Sequence, residues 1–194
     1  KPVPIEENPF IKEHQLENKV LILYSGNIGS SSGVEMLVNI AAEIISEKIQ
    51  FVNIGEGIRK KSIEEKVRAL GLTNCILLPW QETDILPFSL ASANLSVVSL
   101  SAGTSKNAIP SKLYNYMSVG SPILGLADSD SDLARLIEFE NIGKCFEPSK
   151  INDIISFILL LFEDSKHCSL YSKNSLLASK KFTVSNVAKF LPKN

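Results

Sequence analysis

The feature that most constrains this chain is a recurring alternation. Short apolar runs of strand length are each followed by a stretch long enough and amphipathic enough for a helix. Residues 19–24 (KVLILY) are apolar almost without interruption, as in a strand covered by helices on both faces. Further strands are predicted at 50–54, 75–78, 95–100, 122–127 and 144–146, with helices between them at 60–70, 85–92, 111–119, 131–139 and 151–163. The helix after the first strand is read from a capping box, Ser32 to Glu35, and from one apolar face made by Val34, Leu37, Val38, Ala41 and Ile45. Six strands separated by helices imply an α/β fold with a doubly wound parallel sheet. Ligands of such sheets bind beyond the carboxyl ends of the strands, where the winding direction reverses. The residues just after each strand are therefore the ones to inspect.

Composition narrows the ligand. The chain has 194 residues, 44% hydrophobic and 21% charged, enough for one α/β domain with a proper core. A formal net charge of −1 gives no general attraction to nucleic acid or to an anionic surface, so any phosphate binding must be local. Cys75, Cys145 and Cys168 show no paired spacing, which argues against a disulfide framework or a zinc site and for a reducing compartment. His14 and His167 belong to no ligand pattern and read as surface residues; neither a metal nor a cofactor is expected. The longest apolar run, 154–162, is too short to span a bilayer. Residues 1–18 read as a linker tail without a signal peptide, 19–165 as the domain, and 166–194 as helices in two pieces broken near Thr183.

Three loops could hold a phosphate. The first, 26–33 (GNIGSSSG), offers glycines for close approach, serine hydroxyls and the start of a helix. Its Gly-x-x-Gly spacing is not that of a dinucleotide binder, which disfavours an NAD-dependent oxidoreductase, and it lacks the Gly-Lys-Ser/Thr of a P-loop. The second loop, Gly55-Glu56-Gly57, leads to Arg59, Lys60 and Lys61 at a helix start, where cations oppose the helix dipole. Either an anion binds there or the cluster is simply solvated, and for Lys61 the solvated reading is preferred. The third loop, 101–110, leads into SKLYNYMSVGSP, with Ser111 as the expected N-cap and Lys112 and Asn115 sharing one helical face. A diphosphate at that helix start would meet backbone N–H groups and the Lys112 charge together.

At these motifs the chain resembles the C-terminal domain of glycosyltransferase family 4, the "group 1" family of retaining enzymes with GT-B architecture. YSGNIGSSSGVEML resembles that family's first nucleotide loop, FVNIGEG its second strand and turn, and LGLTNCILLPWQ the element that follows. ASANLSVVSL is similar to the fourth strand, and PSKLYNYMSVGSPILG to the signature helix of a branch that makes bacterial surface polysaccharides. The resemblance covers about residues 20–190. It implies the Rossmann-like C-terminal half of a GT-B enzyme and a donor site for a nucleoside-diphosphate sugar, UDP-linked on the family pattern. Hexosyl or N-acetylhexosaminyl transfer to a polysaccharide or lipid-linked acceptor would follow, without a metal.

In this reading Lys112 and Asn107 are the catalytic candidates. Asn27, Gly29, Ser30, Ser31, Glu56, Arg59, Lys60, Trp80, Ser111, Lys112 and Asn115 are the donor-binding candidates. Trp80 stands where it would stack on the base, a buried tryptophan being the alternative. The resemblance further implies an N-terminal acceptor-binding domain absent from this sequence, toward which the last helices would pack. It also implies a cytoplasmic setting, with room for peripheral contact with the inner membrane face through that domain, and an isolated domain inactive alone. Two departures stand out. Where the family carries two glutamates eight residues apart, this chain has Asn107 and Asn115, which keep hydrogen bonding but lose negative charge. Where many members carry Arg and Lys in the first loop, it has Asn27 and Ser32. A non-catalytic nucleotide-sugar-binding or scaffold paralogue is the competing reading.

Overall fold

The computed structural model describes residues 5–30, 32–100 and 106–182. In chain order the elements are a 3-10 turn (Ile5–Glu7), α1 (Pro9–Glu13), β1 (Val20–Ser25), α2 (Val34–Glu43), β2 (Ile49–Ile54), α3 (Lys60–Ala69) and β3 (Cys75–Leu78). There follow α4 (Leu86–Ala91), β4 (Leu95–Ser99), α5 (Lys112–Ser118), β5 (Ile123–Leu126), α6 (Asp132–Glu140), β6 (Gly143–Phe146), α7 (Ile151–Glu163) and α8 (Ser165–Ser179).

All six strands are parallel, in the order β3-β2-β1-β4-β5-β6. The winding runs outward from β1 to β3, then returns to the middle and runs the other way from β4 to β6. The reversal lies between β1 and β4, where Ile22 pairs with Leu95. Alternate residues of β1 feed two cores, which is why its sequence is apolar throughout. Ile22 and Tyr24 pack beneath α2 and α7, whereas Leu21 and Leu23 pack beneath α1, α4 and α5. Each such side chain, removed fully from water, contributes about 1.5–3 kcal/mol.

Several local expectations are corrected. The stretch before β1, read as a tail, carries α1, and Phe10, Ile11 and Leu16 are buried. Asn8 caps that helix, accepting from the N–H of Phe10 and Ile11 and donating to the Phe88 carbonyl at 2.9 Å. Asn8-Pro9 is a cap followed by proline at the first helical position, a signal hidden in a polar, proline-rich composition. His14 is only partly exposed and meets Phe10 edge-on at 4.6 Å.

The capping box is not formed. α2 begins after Gly33, in the left-handed region at φ 71°, with no side-chain cap. The Ser32 hydroxyl accepts from Val34 N–H at 3.4 Å, its carbonyl accepts from Ser99 Oγ at 2.6 Å, and Glu35 turns to Arg59, just before α3, and to Lys66 within it. α2 stops at Glu43, so Ile45 lies outside the helix and is fully exposed. Cys168 lies within α8. That helix packs on α5 closely enough that a Cβ at Gly120 would lie 2.8 Å from Leu176. The break expected near Thr183 lies outside the described residues. Among the described residues no helix is long and apolar enough to cross a membrane.

Candidate functional site

The carboxyl end of β1 meets Lys112, the first residue of α5. Its side chain is half-buried, and Nζ lies over the Tyr24 ring, 3.9 Å from the centroid. A Cβ at Gly26 would stand 2.3 Å from Nζ, so only glycine leaves room for the ammonium there. Among the described residues no carboxylate is within ion-pair distance of it. Burial without an anionic partner pushes the Lys112 ammonium down to about 8, because desolvation penalises the charged form.

Two tyrosines set this geometry. Tyr24 is almost fully buried and donates its hydroxyl to the Asn27 carbonyl at 2.9 Å, shaping the first loop from below. Tyr116 is completely buried one turn along α5 from Lys112. Its hydroxyl accepts from Ser25 N–H at 2.8 Å and donates to the Ser25 carbonyl at 3.3 Å, joining α5 to the end of β1. Burial raises both phenols well above their ordinary range, so both are neutral donors at physiological pH.

The first and second loops are locked together. Gly26 N–H donates to Ile54, Ile28 N–H to Glu56, and Arg59 N–H to Ile28, at 2.9, 2.8 and 3.1 Å. A Cβ at Gly55 would fall 1.9 Å from the Gly26 carbonyl oxygen, and one at Gly57 would fall 2.3 Å from that of Ile28. The second-loop glycines are thus required by loop-to-loop contact. Their cationic neighbours are already engaged: Arg59 pairs with Glu35, and Lys60 with Glu56, each at 2.6 Å. Of the cluster for which an anion or solvent was the open choice, Arg59 and Lys60 pair with carboxylates in their own neighbourhood and Lys61 is exposed.

Of the remaining candidates, Gly29 accepts from Ser32 N–H at 3.2 Å, and Ser30 is exposed on the loop. Ser31 lies outside the described residues. Ser111 is exposed and occupies the N-cap position of α5, but in helical conformation and with no side-chain cap bond. The amides of Leu113 and Tyr114 instead bond the carbonyls of Pro110 and Ser111. The helix start is therefore a tight turn that uses part of its own N–H supply, and the side chain of Lys112 carries the positive charge. Asn115 is exposed one turn beyond Lys112. Asn107 is exposed beside Lys106, which pairs with Asp130 and whose carbonyl accepts from Asp132 N–H, tying this segment to the start of α6. Trp80 is 51% exposed after β3, which removes the buried alternative.

Sequence reasoning missed Tyr24 and Tyr116 as parts of the site. Tyr24 ends an apolar strand and Tyr116 lies on an apolar helix face, so their patterns announce only core. Their hydroxyls acquire partners through chain reversals invisible to local sequence.

A six-stranded parallel sheet with its reversal at β1 and β4, and glycine loops over that reversal, defines a Rossmann-like α/β domain. The sequence profile of the family described as glycosyl transferases group 1 matches residues 6–176, and the chain belongs to that family. A curated relative is WcaI of Escherichia coli strain K12, named for glycosyl transfer in colanic acid biosynthesis. It is 32% identical over 164 residues, covering 82% of this chain and 40% of that protein. The crystal structure of Anabaena Alr3699/HepE in complex with UDP and glucose superposes with a TM-score of 0.82 at 14% identity, over 96% of this chain and 50% of that one. The C-terminal domain of the group 1 family protein LpcC from Francisella tularensis superposes with a TM-score of 0.71 at 17% identity, over 91% and 93% of the two chains. The fold is thus the Rossmann-like fold of GT-B enzymes. The chain spans about 40% of the length of the curated relatives it matches.

Proposed function

We propose that this chain is the donor-binding domain of a retaining glycosyltransferase. It would take a hexosyl or N-acetylhexosaminyl unit from a nucleoside-diphosphate sugar, UDP-linked, for transfer to a polysaccharide or lipid-linked acceptor. The acceptor would be held by a separate N-terminal domain of a longer protein, toward which the helices from residue 166 onward would pack. The reading sets the enzyme in the cytoplasm, with the acceptor domain toward the inner membrane face.

The observation that carries this reading is the Lys112 ammonium, half-buried at the β1 end, seated against Gly26 and without a carboxylate partner among the described residues. Breaking the bond between the anomeric carbon and the diphosphate oxygen leaves an oxocarbenium-like sugar and a terminal phosphate whose freed oxygen carries the bonding electron pair as new negative charge. A preoriented cation beside that oxygen lowers the barrier, because it needs no reorganisation as charge develops. The first-loop residues Asn27, Gly29, Ser30 and Ser31, with Ser111, would add neutral donors to the diphosphate. Trp80, half-exposed, would offer a stacking face to the base. Asn107 would meet the donor sugar and Asn115 the ribose. Glu56, Arg59 and Lys60 would frame the site, with Arg59 and Lys60 remaining on their carboxylate partners. Support from relatives is of the same kind: HepE was crystallised with UDP and glucose, WcaI is named for colanic acid biosynthesis, and the LpcC fragment is a C-terminal domain of nearly the same extent.

Calorimetric titration with UDP and UDP-sugars tests the reading. Lys112→Ala is expected to weaken UDP binding about tenfold or more, the size of one charge-assisted contact. Unchanged affinity would remove the seat. The two asparagines favour one alternative, a non-catalytic paralogue. Sugar transfer by the longer protein with Asn107 and Asn115 intact would dispose of it, whereas activity gained only on Asn107→Glu with Asn115→Glu would support it.

A further inference from the structure

We infer that Tyr24 is a positioning residue of the donor site, one that aims the Lys112 ammonium at a diphosphate without neutralising it; the inference rests on the donor-site reading above. Lysine is a flexible point charge on a four-carbon stem, and something must hold it if it is to act as a preoriented donor. An acidic neighbour would hold it but would also cancel the charge that the ligand needs. The Tyr24 ring centroid lies 3.9 Å from Nζ, and its negative face attracts the cation without cancelling its charge. On the flank stands Gly26, where a Cβ would lie 2.3 Å from Nζ and 3.2 Å from the Tyr24 hydroxyl oxygen. Lysine, ring and glycine thus form one close-packed unit.

The same tyrosine also shapes the loop that the diphosphate would touch. Its hydroxyl donates to the Asn27 carbonyl at 2.9 Å, and that residue's side chain lies against Gly57 of the second loop, where a Cβ would come 2.6 Å from Oδ1. One residue therefore links the position of the charge with the shape of the glycine loop. The two roles separate chemically, because the ring acts on Lys112 and the hydroxyl on the loop. The ring is buried and its phenol stays neutral to about 12, so the pH dependence of the contact is set by the Lys112 ammonium.

The test uses inorganic pyrophosphate and UDP as probes in calorimetry on this chain. Tyr24→Phe keeps the ring and is expected to bind pyrophosphate within about threefold of the parent. Phenylalanine at position 24 carrying successive fluorines keeps the shape while draining the ring of negative potential. Affinity is expected to fall stepwise with fluorination, by about three- to tenfold in total, as loss of a partly desolvated cation–π contact predicts. In a Lys112→Ala background the same series should be flat, since the ring then has no cation to hold. A purely structural role would give a fall in both backgrounds, and that result, or an affinity that is unchanged or rises with fluorination, would overturn the inference. If Lys112→Ala alone leaves UDP binding unchanged, the donor-site reading fails. If it weakens binding while the fluorinated series does not, only the role of Tyr24 fails.

Discussion

At the residue scale, the site turns on one lysine kept partly out of water. Lys112 titrates at about 8 in the folded chain against an ordinary value of 10.5. Between those pH values the unfolded chain binds the extra proton, so stability rises with pH across that window, and below it the cost of burying the charge is fully present. Lys112→Met, which keeps the stem and drops the charge, is therefore expected to raise the melting temperature at pH 7 by a few degrees while weakening UDP binding. A scan of the two proteins with and without UDP checks both halves. Ligand affinity should move the opposite way from stability, falling as pH rises above about 8 and losing that dependence in the methionine variant. Titrations at pH 6.5 and 9.5 would reveal it. Tyr116→Phe leaves the Ser25 N–H buried without its partner and is expected to destabilise by about 1–3 kcal/mol, read from urea unfolding. Lys112 was singled out from sequence because a cation at a helix start is locally unfavourable. The two tyrosines were not, because an apolar run conceals what a hydroxyl at its end will touch.

At the scale of elements, two turns make the site and a third lies close behind. The turn after β1 is laid over the turn after β2 with no space between backbones, so glycine is needed for contact at Gly55 and only for conformation at Gly71. A Cβ at Gly55 would strike the Gly26 carbonyl, whereas at Gly71, φ 62°, it would meet nothing within 4 Å. Gly55→Ala should accordingly cost several kcal/mol and abolish UDP binding, and Gly71→Ala about 1 kcal/mol with binding intact. Urea midpoints together with calorimetry separate the two. The start of α3 behaves differently from its sequence. Arg59 and Lys60 look like an anion site in the linear chain, yet Glu35 comes from α2 and Glu56 from one turn earlier to meet them. Arg59→Ala is expected to change UDP affinity by less than about twofold, against tenfold or more for Lys112→Ala, in the same titration. Strand and helix positions were legible because period and burial agree along each element. The caps at Ser32 and Ser111 were not, because α2 starts one residue later, with the Ser32 hydroxyl accepting from Val34 N–H, and the Ser111 turn closes on its own carbonyls.

At the scale of the whole molecule, the proposed donor site at a sheet reversal would leave the other half of the reaction to be supplied. The chain spans about 40% of its curated relatives, and in the proposed reading the acceptor is held elsewhere in a longer protein. This chain alone is expected to bind UDP yet transfer no sugar, and the longer protein to do both; a radiolabelled donor assay on the two would settle it, with transfer by the shorter chain counting against the division of labour. The amino-acid sequence by itself determined the alternation of strands and helices, the parallel sheet and the glycine-rich turns, because these follow from periodicity and backbone freedom over a few neighbouring residues. It also determined that one lysine would open α5. Only the tertiary structure decided which charges remain available. Packing brings Glu35 to Arg59 but brings Lys112 a neutral ring and a glycine instead of a carboxylate, and a buried charge answers to whatever the fold sets within a few ångströms of it, however distant in the chain.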